Sequence, residues 1–158
     1  MKGRLFIFGT GQHAQKVFNC AVACGYKVGG FIDENISATP PVPGVQVFHS
    51  AALQYSAEGD AAFIAIGRSD VRRRLMDKFA NTKWQLPALV HPFSCVAPDV
   101  NLGAGVLVAA GAVIESSCII GRGVIVDVGV IIDHGCRIAE FSHLKPGQVC
   151  PPQTEWDC

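Results

Sequence analysis

Neither sign of charge prevails in this chain: thirteen lysines and arginines face thirteen aspartates and glutamates. Without a net field there is no electrostatic footprint for nucleic acid or for an anionic membrane surface. No apolar run approaches the roughly 18 residues that read as a membrane span. A signal-peptide pattern is missing as well, because the strand-like run Arg4 to Phe8 leads directly into Gly9. A cytoplasmic protein without a membrane partner is expected. Paired CxxC spacing is also lacking. The seven cysteines (20, 24, 95, 118, 136, 150 and 158) are odd in number and scattered, which argues against a disulfide framework or a zinc site. Reduced thiols and no bound metal are expected. Charged residues make up 16% against 49% hydrophobic, a balance that excludes disorder over most of the length and fits one domain or two small ones.

What the chain has in quantity is a six-residue period. From Val90 to Leu144 every sixth residue is aliphatic, and the series first fails at Cys150. Three residues after a rung, glycine recurs at 105, 111, 123, 129, 135 and 147. Such hexapeptides build a parallel β-helix, in which three units close one triangular coil and coils stack with the aliphatic rungs inside. Glycine relieves the corners. Cys118 and Cys136 are one coil apart, so they are expected to stack in the core about 4.8 Å apart as small hydrophobes. Pro151-Pro152 cannot continue the donor pattern of a strand, so the ladder is expected to stop there and Trp156 in the tail to cover its end. Val106, Val124, Val128 and Val130 are expected on the outside. Self-association would bury them, and three-fold closure suits triangular coils.

Residues before the ladder alternate strands with helices. Arg4 to Phe8, Lys27 to Ile32, Val45 to Phe48 and Ala61 to Ile66 read as strands. Gln12 to Cys24 reads as a helix with Val17, Phe18, Ala21 and Val22 inward and Gly25 as its stop. Ser50 is expected to cap one helical turn, and Ser69 a helix reaching about Phe79. The fold class is α/β plus all-β: a Rossmann-like parallel sheet at residues 1–88, a short β-helix at 89–150 and a tail at 151–158.

Gly9-Thr10-Gly11-Gln12-His13-Ala14 follows a strand and opens a helix, the setting in which backbone amides receive a phosphate. Asp33 and Glu34 end the second strand, where a Rossmann domain keeps its ribose-binding acid. On residues alone the turn reads either as NAD binding or as a tight strand-to-helix turn. His13 is not required by dinucleotide geometry and suggests a polar ligand contact. Gly67 and Arg68 follow the fourth strand at the same sheet edge, and Arg68 there is able to meet a diphosphate. Arg72, Arg73 and Arg74 read as a solvated helix face.

In this order, the glycine turn, Phe31-Ile32-Asp33-Glu34, Ile64-Ala65-Ile66-Gly67, Leu89-Val90-His91-Pro92 and the ladder resemble the sugar-nucleotide N-acetyltransferases of bacterial glycan and pilin glycosylation. Sialic-acid O-acetyltransferases share the plan. The resemblance covers nearly the whole chain. It implies a left-handed β-helix, a homotrimer, and acetyl-CoA lying between neighbouring helices. It also implies a UDP-linked amino sugar, in place of NAD, on the first domain at Gly9, Gly11, Gln12, His13, Asp33, Glu34, Gly67 and Arg68. Within Val130-Ile131-Ile132-Asp133-His134-Gly135-Cys136-Arg137-Ile138 the resemblance makes His134 the general base, and within Phe141-Ser142-His143-Leu144 it puts His143 near the thioester.

Counting by 18 adds an independent view of that site. His134 falls over Ser116 and Asp133 over Glu115, so polar groups collect around the imidazole. A neutral imidazole takes a proton from a sugar amine or hydroxyl at neutral pH. The family commonly has an acid after the histidine to orient the ring; here Gly135 stands there, leaving Asp133 or Glu115 to substitute. Family members also continue for several more coils. These departures keep open a shortened, non-catalytic trimer that binds a sugar nucleotide without a full coenzyme groove. A nicotinamide-dependent oxidoreductase would need a larger sheet and a catalytic domain, and the ladder offers neither.

Overall fold

The computed structural model describes residues 3–51, 59–80 and 82–157. It comprises two compact units, Met1–Pro87 and Ala88–Cys158. The helical turn expected after Ser50 falls largely on residues 52–58, outside the described residues.

In the first unit β1 (Arg4–Phe8), α1 (Gln12–Ala23), β2 (Lys27–Asp33), β3 (Val47–His49), β4 (Ala61–Ile64) and α2 (Ser69–Phe79) follow one another. The strands form one parallel sheet in the order β3-β2-β1-β4. β4 is buried at all four residues, as expected of a strand covered on both faces. The inward face of α1 is Ala14, Val17, Cys20 and Ala21, while Val22 is 52% exposed. Val22 is not on the inward face expected for it, because it lies about 100° around the helix from Ala21. Gly25 ends α1 at φ +81, and its amide donates to the Val22 carbonyl. Ser69 is the first residue of α2 and not its cap; Arg68 precedes it in extended conformation. The Phe6 ring meets Trp84 and Phe48 edge-on at 5.4 and 6.0 Å. Gly29 makes room for it, since a Cβ there would come within 2.6 Å of that ring.

The second unit is the β-helix. Twelve two-residue strands recur every six residues, from Leu89–Val90 to Glu155–Trp156. They pair in parallel with the strand 18 residues away, giving three four-stranded sheets. Each hexapeptide turns two positions inward. The rung is one; the residue four places after it is the other. Val106, Val124 and Val130 hold this second position and are fully buried, so of the four valines expected outside only Val128 is exposed. Cys118 and Cys136 occupy the same column and belong to the core. Each thiol donates across the corner to the next coil, Cys118 to the Asp133 carbonyl and Cys136 to the Pro151 carbonyl, both at 3.1 Å.

From Leu102 onward, the third position after the rung takes left-handed backbone. Gly105, Gly111, Gly123, Gly129, Gly135 and Gly147 all have φ between +64 and +73 there, and Ser117, Phe141 and Gln153 adopt φ 58–63 without glycine. The ladder does not stop at the prolines. Cys150 is a fully buried rung paired with Ile132, and Trp156 is the next rung, paired with Ile138. Pro151 and Pro152 lie in a corner, where the chain turns without needing the second amide. Pro151 does occupy the place from which Glu115 and Asp133 donate to the coil above, and it has no N–H to give.

Two glycines separate the reasons for glycine. A Cβ on Gly121 would meet the backbone nitrogen of Glu140 at 2.6 Å, whereas one on Gly129, at φ +66, would have nothing within 4 Å. Gly121→Ala therefore has to push two coils apart, while Gly129→Ala pays only about 1–2 kcal/mol for left-handed backbone. Thermal unfolding should show the larger loss for Gly121→Ala, and Ile132→Ala should cost about 2–5 kcal/mol for the emptied rung.

Candidate functional site

The first candidate site lies where the sheet order reverses between β1 and β4, the place at which open α/β sheets bind ligands. Gly9 leaves β1 at φ +109, and a Cβ there would come within 2.8 Å of Ile66. Glycine thus lets the turn lie against the end of the neighbouring strand. Gly11 precedes α1 in extended conformation and supplies no side-chain cap to the first turn. Thr10 donates its hydroxyl to Asp33 at 2.7 Å, and the Asn35 amide donates to the other Asp33 oxygen at 3.0 Å. The carboxylate is therefore held in place by the glycine turn itself.

A cavity of about 270 Å³ opens there, lined by Phe8, Gly9, Asp33, Glu34, Ile66, Val71, Arg74, Leu75 and Lys78. Of the residues singled out from sequence, it brings together Gly9, Asp33 and Glu34. Gly11, Gln12, His13, Gly67 and Arg68 are not among its walls. Gly11, Gln12 and Gly67 are exposed, and His13 is half-buried. Arg68 makes a two-point ion pair with Asp70 on the surface, at 3.2 and 2.8 Å, which holds the Asp70 carboxyl below its ordinary range.

Sequence reasoning missed the α2 wall. Val71, Arg74, Leu75 and Lys78 are spaced i, i+3, i+4 and i+7, so the stripe was visible in the period. The three consecutive arginines obscured it by reading as one solvated face. They are not alike. Arg72 is 1% exposed and donates to the Ile66 and Gly67 carbonyls at 2.8 and 2.9 Å, bracing the segment that carries Ile66 into the cavity.

The second candidate site is a corner of the β-helix. Pairing of Ile131 with Val113 and of Ile132 with Ile114 puts Asp133 and His134 over Glu115 and Ser116. Ser116 accepts the Gly135 amide at 2.9 Å, tying the two corners together. One oxygen of Asp133 accepts the His134 backbone amide at 2.7 Å and lies 2.9 Å from His134 Nδ1. A proton on Nδ1 leaves the lone pair on Nε2. The His134 amide, and then its ring, hold the Asp133 carboxyl below the usual carboxylate range. Being depressed, that acid keeps its charge above its unfolded value and loses it only as pH falls through the lower folded one. Glu115 makes no hydrogen bond to the ring among the described residues.

His143 lies on a different sheet of the coil. Its Nε2 is 3.3 Å from the buried Asp127 carboxylate, and its Nδ1 is 3.0 Å from Lys145 Nζ. Asp127, 3% exposed, also accepts the Val128 amide at 2.7 Å. Counting by 18 sets 143 beside 125 and 127 beside 145, so this diagonal pair is not singled out by the count. Three of the buried cysteines are poor nucleophiles. Burial pushes the Cys118 and Cys150 thiols up, and Cys20 in the other unit to about 12, so they stay protonated.

Comparison with known proteins bears on both sites. The PglD N-terminal domain family matches residues 4–79. The structure is similar to PerB from Caulobacter crescentus, solved in complex with CoA and GDP-perosamine, at 34% identity and a TM-score of 0.85, over 94% of this chain and 72% of that one. It is also similar to the acetyltransferase domain of PglB from Neisseria gonorrhoeae in complex with acetyl coenzyme A, at 29% identity and a TM-score of 0.83, over 92% and 72%. WeeI from Acinetobacter baumannii shares the fold at 19% identity and a TM-score of 0.63, over 90% and 81%.

The buried arginine gives a test within the first unit. Arg72→Met removes the donor to the Ile66 and Gly67 carbonyls, at a cost of about 1–3 kcal/mol where the carbonyl is left unsatisfied. Its melting temperature should fall by several degrees, while Arg73→Met, on the exposed face, should stay close to the parent protein.

Proposed function

Because this chain belongs to the sugar-nucleotide acetyltransferases that join a PglD N-terminal domain to a hexapeptide-repeat β-helix, we propose that it moves acetyl from acetyl-CoA to the amino group of a nucleotide-activated sugar, with His134 as general base. The 2.9 Å contact between His134 Nδ1 and Asp133 carries this reading. A carboxylate on Nδ1 orients the ring and stabilises the imidazolium that forms when Nε2 takes a proton. Asp133 does from the preceding position what the family's acid commonly does from the following one. Gly135 therefore does not argue for the non-catalytic reading.

The sugar amine attacks the thioester carbonyl carbon, forming the C–N bond as its proton passes to His134 Nε2. The tetrahedral intermediate then collapses, the C–S bond breaks, and coenzyme A leaves as a thiolate that takes up a proton. No covalent enzyme intermediate is needed. His143, ordered between Asp127 and Lys145, is proposed to lie near the acetyl-CoA thioester. Amines are favoured over hydroxyls because the named acceptor of PerB is an amino sugar nucleotide.

A homotrimer is the proposed assembly. The outward positions Val113, Ile131 and Val149 stack on one sheet, and Ile131 and Val149 are 43% and 57% exposed beside Val128 at 41%. Packing against a second copy would remove that stripe from water. Among the described residues no helix is long and apolar enough to cross a membrane, and the cytoplasm is the proposed compartment.

Free thiol released from acetyl-CoA in the presence of a nucleotide-linked amino sugar measures the activity. His134→Ala should lower kcat by roughly 10²–10⁴-fold, and Asp133→Asn by roughly 10–100-fold with little change in KM. Thiol release no greater than that of His134→Ala would refute the enzymatic reading. In sedimentation, Ile131→Glu should shift the assembly toward monomer.

A further inference from the structure

The cavity at the edge of the first sheet is lined by three kinds of side chain. Ile66, Val71 and Leu75 are apolar, Asp33 and Glu34 are acidic, and Arg74 and Lys78 are basic. Among the described residues no ion pair joins either acid to either base. Asp33 is held by the Thr10 hydroxyl and the Asn35 amide, Glu34 by the Ser50 hydroxyl at 2.8 Å with His49 at 3.8 Å. Opposite charges kept apart around one cavity leave their complement to a ligand. At about 270 Å³ the space is smaller than the roughly 300–1,000 Å³ that encloses a drug-sized molecule, so it suits one part of a nucleotide sugar.

A flat base between aliphatic walls satisfies the apolar lining. The charged lining restricts which base. Ionised carboxylates only accept hydrogen bonds, and arginine and lysine only donate them. The base must therefore present adjacent donors on one edge and acceptors on another. Guanine does so: N1–H and the 2-amino group stand side by side, and O6 with N7 forms the acceptor pair that arginine and lysine read. Uracil offers one N–H between two carbonyls, each of which a carboxylate repels. Adenine and cytosine set a ring acceptor beside the amino group, with the same penalty.

We infer that this cavity selects guanine, with Glu34 on the N1–H and 2-amino edge, Arg74 and Lys78 on the O6 and N7 edge, and Asp33 on the ribose, so that the acetyl acceptor is a GDP-linked amino sugar. This rests on the reading of the chain as a sugar-nucleotide acetyltransferase and replaces the uridine nucleotide that family resemblance implied. Asp33 has the position of the ribose-binding acid in dinucleotide folds, which leaves Glu34, one residue further on, for the base.

Calorimetric titration of the whole chain with GDP, inosine diphosphate and UDP tests it. Inosine diphosphate lacks only the 2-amino group. GDP should bind roughly ten- to a hundredfold more tightly than inosine diphosphate, the worth of one hydrogen bond to a charged acceptor, and more tightly again than UDP. Glu34→Gln, an exposed position, should bring the GDP and inosine diphosphate affinities together. Equal affinities in the parent protein, a preference for UDP, or an unchanged ratio in Glu34→Gln overturns the guanine assignment and leaves acetyl transfer standing. Failure of all three nucleotides to bind overturns the sugar-nucleotide reading along with it.

Discussion

The β-helix depends on one backbone constraint, a left-handed residue at the third position after each rung from Leu102 onward. A corner with φ near +65 closes the hexapeptide so that three of them return the chain over its own start. Six of these corners are glycine, and Ser117, Phe141 and Gln153 accept the same conformation at some cost. From the corner follow the 18-residue coil, the parallel in-register pairing, and the burial of rungs from Val108 to Cys150. The chemistry obeys the same rule. Gly135 is a corner, and the carboxylate on His134 Nδ1 comes from Asp133, which follows the strand.

The two candidate sites arise from opposite uses of the backbone. In the sheet unit, a turn at Gly9 brings Thr10 against Asp33 across 23 positions of sequence, and a helix two strands later supplies the cations. In the β-helix, stacking brings Asp127 to His143 and the Cys118 thiol under the Asp133 carbonyl. The first arrangement makes a cavity. The second makes a wall whose polar groups stand out from an apolar core.

Much of this was legible in the sequence. The rung period named the β-helix, and the coil count set Asp133 and His134 over Glu115 and Ser116. The glycine turn with Asp33 marked the sheet edge. What escaped the reading depended on direction. Val106, Val124 and Val130 share the inward column of Cys118 and Cys136, which the six-residue period of the rungs does not mark. The three arginines looked alike, yet Arg72 finds two carbonyls, Arg73 faces solvent and Arg74 lines a cavity. The non-aliphatic Cys150 and the Pro151-Pro152 pair suggest an end to the ladder and Trp156 a tail cover, whereas both Cys150 and Trp156 are paired rungs. A thiol and an indole fill the rung as well as isoleucine does.

The coil also limits how this chain is able to vary in length. Inserting or deleting six residues ahead of His134 would keep every rung inside, since the core cannot tell one hexapeptide from the next. It would nevertheless rotate all that follows by one face of the triangle. After an insertion Ile131 and Val149 would stack on the sheet of Asn101 and Ile119, after a deletion on that of Leu107 and Ile125, and the histidine corner would turn away from its present neighbours. Only changes of whole coils preserve which side each residue shows, so the fold is strict about length, in steps of eighteen.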